Sequence, residues 1–309
     1  MHLPEAPSGL LNLHKPAGKT SFQVVALVRR WSGQRRVGHG GTLDPAASGV
    51  LVLGLGQGTR VLEYLAQERK IYRAEIELGV TTDTYDGEGN VIRRADTQGI
   101  GPETIAKALS LFRGSIEQVP PLYSALKHQG RPLYRWAREG VEVVRKPRPV
   151  QVFRLDLLSF QLPYLALEIE CSKGTYIRSL AHDLGQTMGC GAYLKNLVRV
   201  RNGPFRLEDS FTLAQAEDAF LTGRGQALLQ PIDRALLSFP AVYLGGEEER
   251  AVRAGQPLSL QPQGGPPPQL CRAYSQEGRL VALLGFEAGL WRPRKVLASD
   301  EGEAVGGES

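Results

Sequence analysis

The run Gly38-His39-Gly40-Gly41-Thr42-Leu43-Asp44-Pro45 restricts the backbone more than any other stretch of this chain. A residue before proline is disfavoured in the helical basin, so Asp44 is expected to be extended. The glycines, with Gly49 further on, let a bulky partner come close to the main chain. One carboxylate held in an open, glycine-lined loop suits a site that receives something large. An Asp-Pro pair also starts ordinary turns, so the run alone leaves both readings open.

The 309 residues are enough for a main domain and a smaller one. A hydrophobic share of 42% and a charged share of 22% fit a soluble globular protein. The net charge of +5 permits a polyanionic partner. Nine of the 37 basic residues are Lys and the other 28 are Arg. The arginine fork suits phosphates and base edges, although a compositional bias explains the excess equally well. Cys171, Cys190 and Cys271 are widely spaced, so no disulfide framework is expected. The first residues lack the basic region and apolar core of a signal peptide. No apolar run approaches the roughly 20 residues of a membrane span. The cytoplasm is therefore the expected compartment.

The order of elements predicts an α+β fold with a mixed, mainly antiparallel sheet. Leu10 to Leu13 read as a strand, followed by a turn at Pro16-Ala17-Gly18. Ser21 is expected to cap a helix with Val24, Val25, Val28 and Trp31 at helical spacing. Tyr72, Ala74, Ile76 and Leu78 alternate with charged residues, as in a half-buried strand. Pro102 and Gly114 bracket a helix. Phe153, Leu155 and Leu157 are expected to share one strand face, and Leu165, Leu167, Ile169 and Cys171 another. Thr212 and Gln215 have capping-box spacing. After about residue 233 the composition shifts. The expected domains are 1–233, a small β-rich unit at 238–298, and a disordered acidic tail at 299–309.

Several familiar chemistries are disfavoured. Ala17-Gly18-Lys19-Thr20 resembles the end of a phosphate-binding loop, but the required earlier glycine is Leu13. His2, His14, His39, His128 and His182 show no zinc-ligand spacing, so no metal is expected. Ser179, His182 and Asp183 lie too close together on one helix to form a hydrolase triad. A glycoside hydrolase would need a second acid in a comparable loop. Asp83 and Asp86 fit turn caps better.

Three further runs change the weight of the first. They are Lys70-Ile71-Tyr72 with Leu78-Gly79-Val80-Thr81-Thr82-Asp83-Thr84-Tyr85-Asp86, then Gln118-Val119-Pro120-Pro121-Leu122-Tyr123-Ser124-Ala125-Leu126-Lys127, then Cys171-Ser172-Lys173-Gly174-Thr175-Tyr176-Ile177-Arg178. Together, and in this order, the four runs resemble the bacterial TruB family of tRNA pseudouridine-55 synthases over residues 9–210. The segment Leu290-Trp291-Arg292-Pro293-Arg294-Lys295-Val296-Leu297 resembles the end of a PUA domain, an RNA-binding module.

The resemblance implies a pseudouridine-synthase catalytic fold followed by a PUA-like unit. It implies isomerisation of one uridine in the tRNA T-arm by base flipping, without a cofactor. It assigns Asp44 as the catalytic carboxylate, Arg178 as its partner and Tyr72 as a stacking residue. Tyr176 and Leu197 would shape the pocket, and His39 would contact displaced RNA. Lys15-Pro16 would support the site structurally. If the strand before Tyr176 continues, Tyr176 and Arg178 face the same way. Arg145, Lys146, Arg148, Arg199 and Arg201 are candidate phosphate contacts. The partner would be tRNA, with no guide RNA and no membrane, and the protein would be a monomer. A role in assisting tRNA folding, separate from catalysis, is the competing reading from another functional class.

Overall fold

The structure is a computed structural model, and residues 7–124, 126–141, 143–259 and 266–297 are described. The acidic tail expected at 299–309 lies outside these residues.

The chain opens with β1 (Gly9–Lys15), α1 (Ser21–Ser32), β2 (Val37–His39), β3 (Ser48–Leu55) and α2 (Leu62–Leu65). Next come β4 (Lys70–Leu78), β5 (Val80–Thr82), β6 (Val91–Arg94), α3 (Pro102–Leu111), β7 (Gly114–Gln118), β8 (Lys127–His128), β9 (Arg131–Pro132) and α4 (Leu133–Arg138). The second half holds β10 (Arg148–Gln161), β11 (Tyr164–Cys171), α5 (Ile177–Thr187), β12 (Ala192–Asn202), β13 (Phe205–Arg206), β14 (Phe211–Thr212) and α6 (Leu213–Leu221). The chain continues through β15 (Ala241–Tyr243), α7 (Gly246–Arg253), β16 (Leu270–Tyr274), β17 (Leu280–Glu287) and β18 (Leu290–Val296).

Ten strands form one sheet in the order β14-β1-β3-β12-β4-β11-β10-β7, with β2 added to β3 and β13 to β12. Most pairings are antiparallel, while β12–β3 and β1–β14 are parallel. The expected α+β class is borne out. A separate four-stranded sheet follows in the order β15-β16-β17-β18.

The two halves of the large sheet are buried differently, and the sequence reflects it. On β1 and β3 both faces are covered. Leu11, Leu13, Leu51, Leu53 and Leu55 face α1, whereas Leu10, Val50 and Val52 join a second core with Leu62, Leu65 and Leu283. Burial on both faces produces a near-continuous apolar run. On β4 and β11 only one face is covered, by α3 and α5, and the residues alternate. The open face carries cross-strand ion pairs, among them Arg73–Glu168 at 3.1 Å and Arg154–Glu168 at 2.8 Å.

Three local expectations need correction. The cap of α1 is Thr20, not Ser21. Thr20 and Gln23 form the reciprocal capping box, and Ser21 lies buried inside the first turn. On β10 an extra residue enters the ladder between Val152 and Arg154. That bulge reverses the alternation. Val152 takes the inward place expected of Phe153, which is 40% exposed and stacks under the Arg69 guanidinium at 3.8 Å. Leu157 is also exposed. Finally, the strand before Tyr176 does not continue. It ends at Cys171, and Tyr176 is the N-cap of α5. The capping box at Thr212 is borne out.

β3 and β12 approach closely where Gly49 faces Arg199. A Cβ on Gly49 would lie 2.3 Å from the Arg199 carbonyl oxygen, and the backbone there has φ +108. Gly49→Ala is therefore expected to cost more than about 2 kcal/mol of stability. Urea unfolding measures this directly, and an unchanged midpoint would contradict the packing described.

Candidate active site

The loop that carries Asp44 is tied down at nearly every residue. Gly40 N–H donates to the Val52 carbonyl at 2.9 Å, and Asn202 Nδ2 donates to the Gly40 carbonyl at 3.3 Å. Arg199 donates to the carbonyls of Gly41, Thr42 and Val50 at 3.0, 3.2 and 2.8 Å. Leu43 N–H donates to the Ser21 hydroxyl, which donates back to the Leu43 carbonyl. Lys15 Nζ donates to the carbonyls of Pro16, Lys19 and Pro45. The Asp44 carbonyl accepts from Ala47 N–H at 3.1 Å, so Asp44 does begin a turn. The turn reading and the site reading describe the same residue.

With its main chain fixed, Asp44 lines a cavity of about 420 Å³. Tyr72, Tyr176, Arg178 and Leu197 line the same cavity, so five of the six predicted site residues come together. Tyr72 on β4 and Leu197 on β12 both bridge the two main cores. Burial pushes the Tyr72 hydroxyl above the usual tyrosine range. Tyr176 is held through its backbone. Its N–H donates to Gln118 Oε1 at 2.7 Å, and its carbonyl accepts from Gln118 Nε2 at 3.0 Å. His39 is not among the cavity walls. It sits half-buried at the end of β2, with burial and then Arg199 lowering its pKa.

Arg178 is held from behind by Asp86 at 3.3 Å and by the carbonyls of Tyr123 and Thr84 at 3.0 and 3.5 Å. Its Nη2 reaches Asp44 Oδ2 at 2.9 Å. The side chains of Arg178 and Asp86 are 7% and 11% exposed, whereas that of Asp44 is 42% exposed. Asp44 is thus the accessible end of a buried charge chain. An ion pair this short fixes the direction of the carboxylate. Lys15, Lys70, Arg178 and Arg199 are all buried around the site, against Asp44 and Asp86. The excess positive charge suits a phosphate-bearing substrate. Among the described residues, no three His, Cys, Asp or Glu side chains gather to hold a metal ion. No helix among them is long and apolar enough to cross a membrane.

Arg199 corrects one expectation. It is 1% exposed and uses its guanidinium on backbone carbonyls, so it is not a phosphate contact. Arg145 and Arg201 donate to the Pro120 and Gly203 carbonyls, while Lys146 and Arg148 are exposed. Sequence reasoning also missed Gln118, Lys70 and the pairing of Asp86 with Arg178. Asp86 does cap its turn as expected. Its Oδ1 accepts from Thr84 Oγ1 and Glu88 N–H, which leaves Oδ2 for Arg178.

Known proteins share this fold. A crystal structure of a Cbf5-Nop10-Gar1 complex superposes with a TM-score of 0.74 at 28% identity, covering 94% of this chain and 85% of that one. The structure of an H/ACA RNP bound to a substrate RNA containing 2'-deoxyuridine gives 0.72 at 26% identity, with the same coverage. Residues 29–177 match the TruB family pseudouridylate synthase N-terminal domain, and residues 178–237 the tRNA pseudouridylate synthase B C-terminal domain. The fold is that of a pseudouridylate synthase. Proteins called tRNA pseudouridine synthase B are similar over nearly the whole chain. One from Dehalococcoides mccartyi is 46% identical over 94% of this chain and 97% of its own, and one from Thiobacillus denitrificans 42% identical over 96% and 97%. The chain belongs to the TruB family of tRNA pseudouridine synthases.

Two outcomes are expected. Arg199→Lys should lose at least about 2 kcal/mol of stability, because the carbonyls of Val50, Thr42 and Gly41 are reached by three separate nitrogens of the guanidinium fork, a spread that one ammonium at the end of a shorter chain cannot cover. It should leave the salt dependence of tRNA binding unchanged, whereas a lost phosphate contact would lower that slope by about one. Burial and the nearby Arg199 bring Lys70 from 10.5 down to about 8. Between those values the unfolded chain holds a proton that the folded chain has released, so stability rises with pH. The unfolding free energy of wild type relative to Lys70→Met should therefore increase from pH 8 towards 10 in urea titrations, and a flat difference would contradict it.

Proposed function

We propose that this protein converts uridine 55 in the T-arm of tRNA to pseudouridine, with Asp44 as its catalytic carboxylate. The observation that carries this reading is the 2.9 Å ion pair between Asp44 and Arg178, which line the cavity with Tyr72. The reaction breaks the bond from ribose C1′ to uracil N1, turns the base and joins C1′ to C5. C5 loses a proton and N1 gains one, so no redox partner is required. An ionised carboxylate beside the ribose can attack C1′ or stabilise positive charge there.

The target base must leave its stack, at a cost of a few kcal/mol. Tyr72 offers a replacement face, worth about 1–3 kcal/mol. Arg178 keeps Asp44 aimed. Tyr176 and Leu197 shape the walls, and His39 meets the displaced RNA beyond the cavity. The four-stranded sheet, within residues 238–298, serves as a PUA-like RNA-binding unit beside a catalytic unit of residues 1–233. The protein works as a monomer in the cytoplasm without a guide RNA. The 42–46% identity to tRNA pseudouridine synthase B proteins, against 26–28% to the Cbf5-containing assemblies, supports that choice.

Position-resolved pseudouridine mapping on unmodified tRNA tests the proposal. Wild type should modify position 55, and Asp44→Asn should be at least about 1000-fold slower while still binding tRNA. Turnover retained by Asp44→Asn would remove its catalytic role, and modification in another arm would move the substrate site. A tRNA-refolding assay on the same variant separates any folding assistance from catalysis.

A further inference from the structure

Tyr85 has φ +66, a backbone region that bulky residues rarely adopt. Glycine would be the ordinary choice at such a turn. The two residues flanking Tyr85 both reach Arg178, Thr84 through its carbonyl at 3.5 Å and Asp86 through its carboxylate at 3.3 Å. The left-handed residue turns the chain so that both neighbours face one guanidinium. The turn is anchored by Leu194 N–H donating to the Tyr85 carbonyl at 3.0 Å, and by Thr82 Oγ1 donating to the Asp86 carbonyl at 2.8 Å.

The Tyr85 side chain has a specific partner. Its ring lies flat on the His182 imidazole, with centroids 3.9 Å apart and planes 18° from parallel. His182 is on α5 four residues after Arg178, so the two side chains project from one helix face. Helix α5 thus grips the 84–86 turn at two points, with charge at Arg178 and a stacked ring at His182. His182 Nδ1 is buried and has no hydrogen-bond partner. Burial, with Arg145 nearby, lowers the His182 pKa and so favours the neutral ring. The imidazole therefore contributes its flat face.

We propose that Tyr85 and His182 are positioning residues for catalysis, whose stack holds Asp86 against Arg178 and thereby aims Asp44. Neither touches the cavity that contains Asp44. The inference rests on the reading of Asp44 as the catalytic group. It explains why a tyrosine occupies a glycine-like backbone position, since its ring is what α5 holds.

The test is steady-state kinetics on unmodified tRNA with Tyr85→Gly, His182→Ala, their double variant, His182→Phe and Asp44→Asn, alongside thermal unfolding. Glycine keeps the turn without strain but removes the ring. Tyr85→Gly is therefore expected to unfold at or above the wild-type temperature, yet to lose about 10- to 100-fold in kcat through misplacement. Its KM for tRNA should stay within about twofold, because the tRNA-facing walls are unchanged. His182→Ala should lose a similar amount, the double variant no more than the worse single one, and His182→Phe should recover most of the activity. Single variants within twofold of wild type in kcat, or losses that multiply in the double variant, would overturn the proposal. Turnover retained by Asp44→Asn in the same series would instead remove the reading of Asp44. If His182→Ala fails to fold, Tyr85→Gly and His182→Phe still decide the question.

Discussion

The guanidinium of Arg199, buried where β3 meets β12, is the interaction on which the site depends. Its three donors hold the carbonyls of Gly41, Thr42 and Val50, and so fix the Asp44 loop to the strand that follows it. A loop rich in glycine has much conformational entropy to lose on ordering. Here the restraint comes from outside the loop, from Arg199, Lys15, Ser21 and Asn202. Glycine supplies the close approach, and the surrounding polar side chains supply the rigidity that a preorganised carboxylate needs.

The same residues create an electrostatic imbalance. Four buried cations surround two carboxylates, and the most exposed charge is the Asp44 carboxylate. Burying unpaired cations is unfavourable, and it lowers Lys15 and Lys70 to about 8. The site is thus less than fully neutralised when empty, and a phosphate backbone would complete its charge. Hydrogen bonds to carbonyls let the folded protein tolerate the excess.

Much of the fold was legible because periodicity records burial. The runs at Leu10 and Val50 are continuous because both faces are covered, and the run at Tyr72 alternates because one face is open. Phe153 was misread because a bulge adds one residue to the ladder, and no composition signal marks it. Thr20 was missed beside Ser21 although Gln23 supplies the capping-box partner. Asp44 and Arg178 were legible through their motifs. Arg199 was not, since a lone arginine between two valines reads like any charged residue on a half-open strand. Its burial depends on β3 arriving in parallel alongside β12, a contact that no local pattern encodes. Asp86 was read as a turn cap, which it is, but one oxygen of a carboxylate suffices for that.

Leu283 belongs to the four-stranded sheet, yet it is buried with Leu10, Val50, Val52 and Leu65 from the first part of the chain. Arg60 donates to the Val296 carbonyl at 2.6 Å, and Lys295 pairs with Glu63 at the same distance. The residues beneath this junction also lie under the active-site loop, where a Cβ on Gly40 would come within 2.6 Å of Leu65. The smaller sheet therefore covers apolar surface that would otherwise face water below the Asp44 loop. The smaller sheet packs a core of its own around Val252, Val281 and Trp291, yet through Leu283 it also shares the core of the large sheet, across the composition boundary near residue 233. Solvent entering that seam would loosen the floor of the site and the attachment of the smaller sheet in one event.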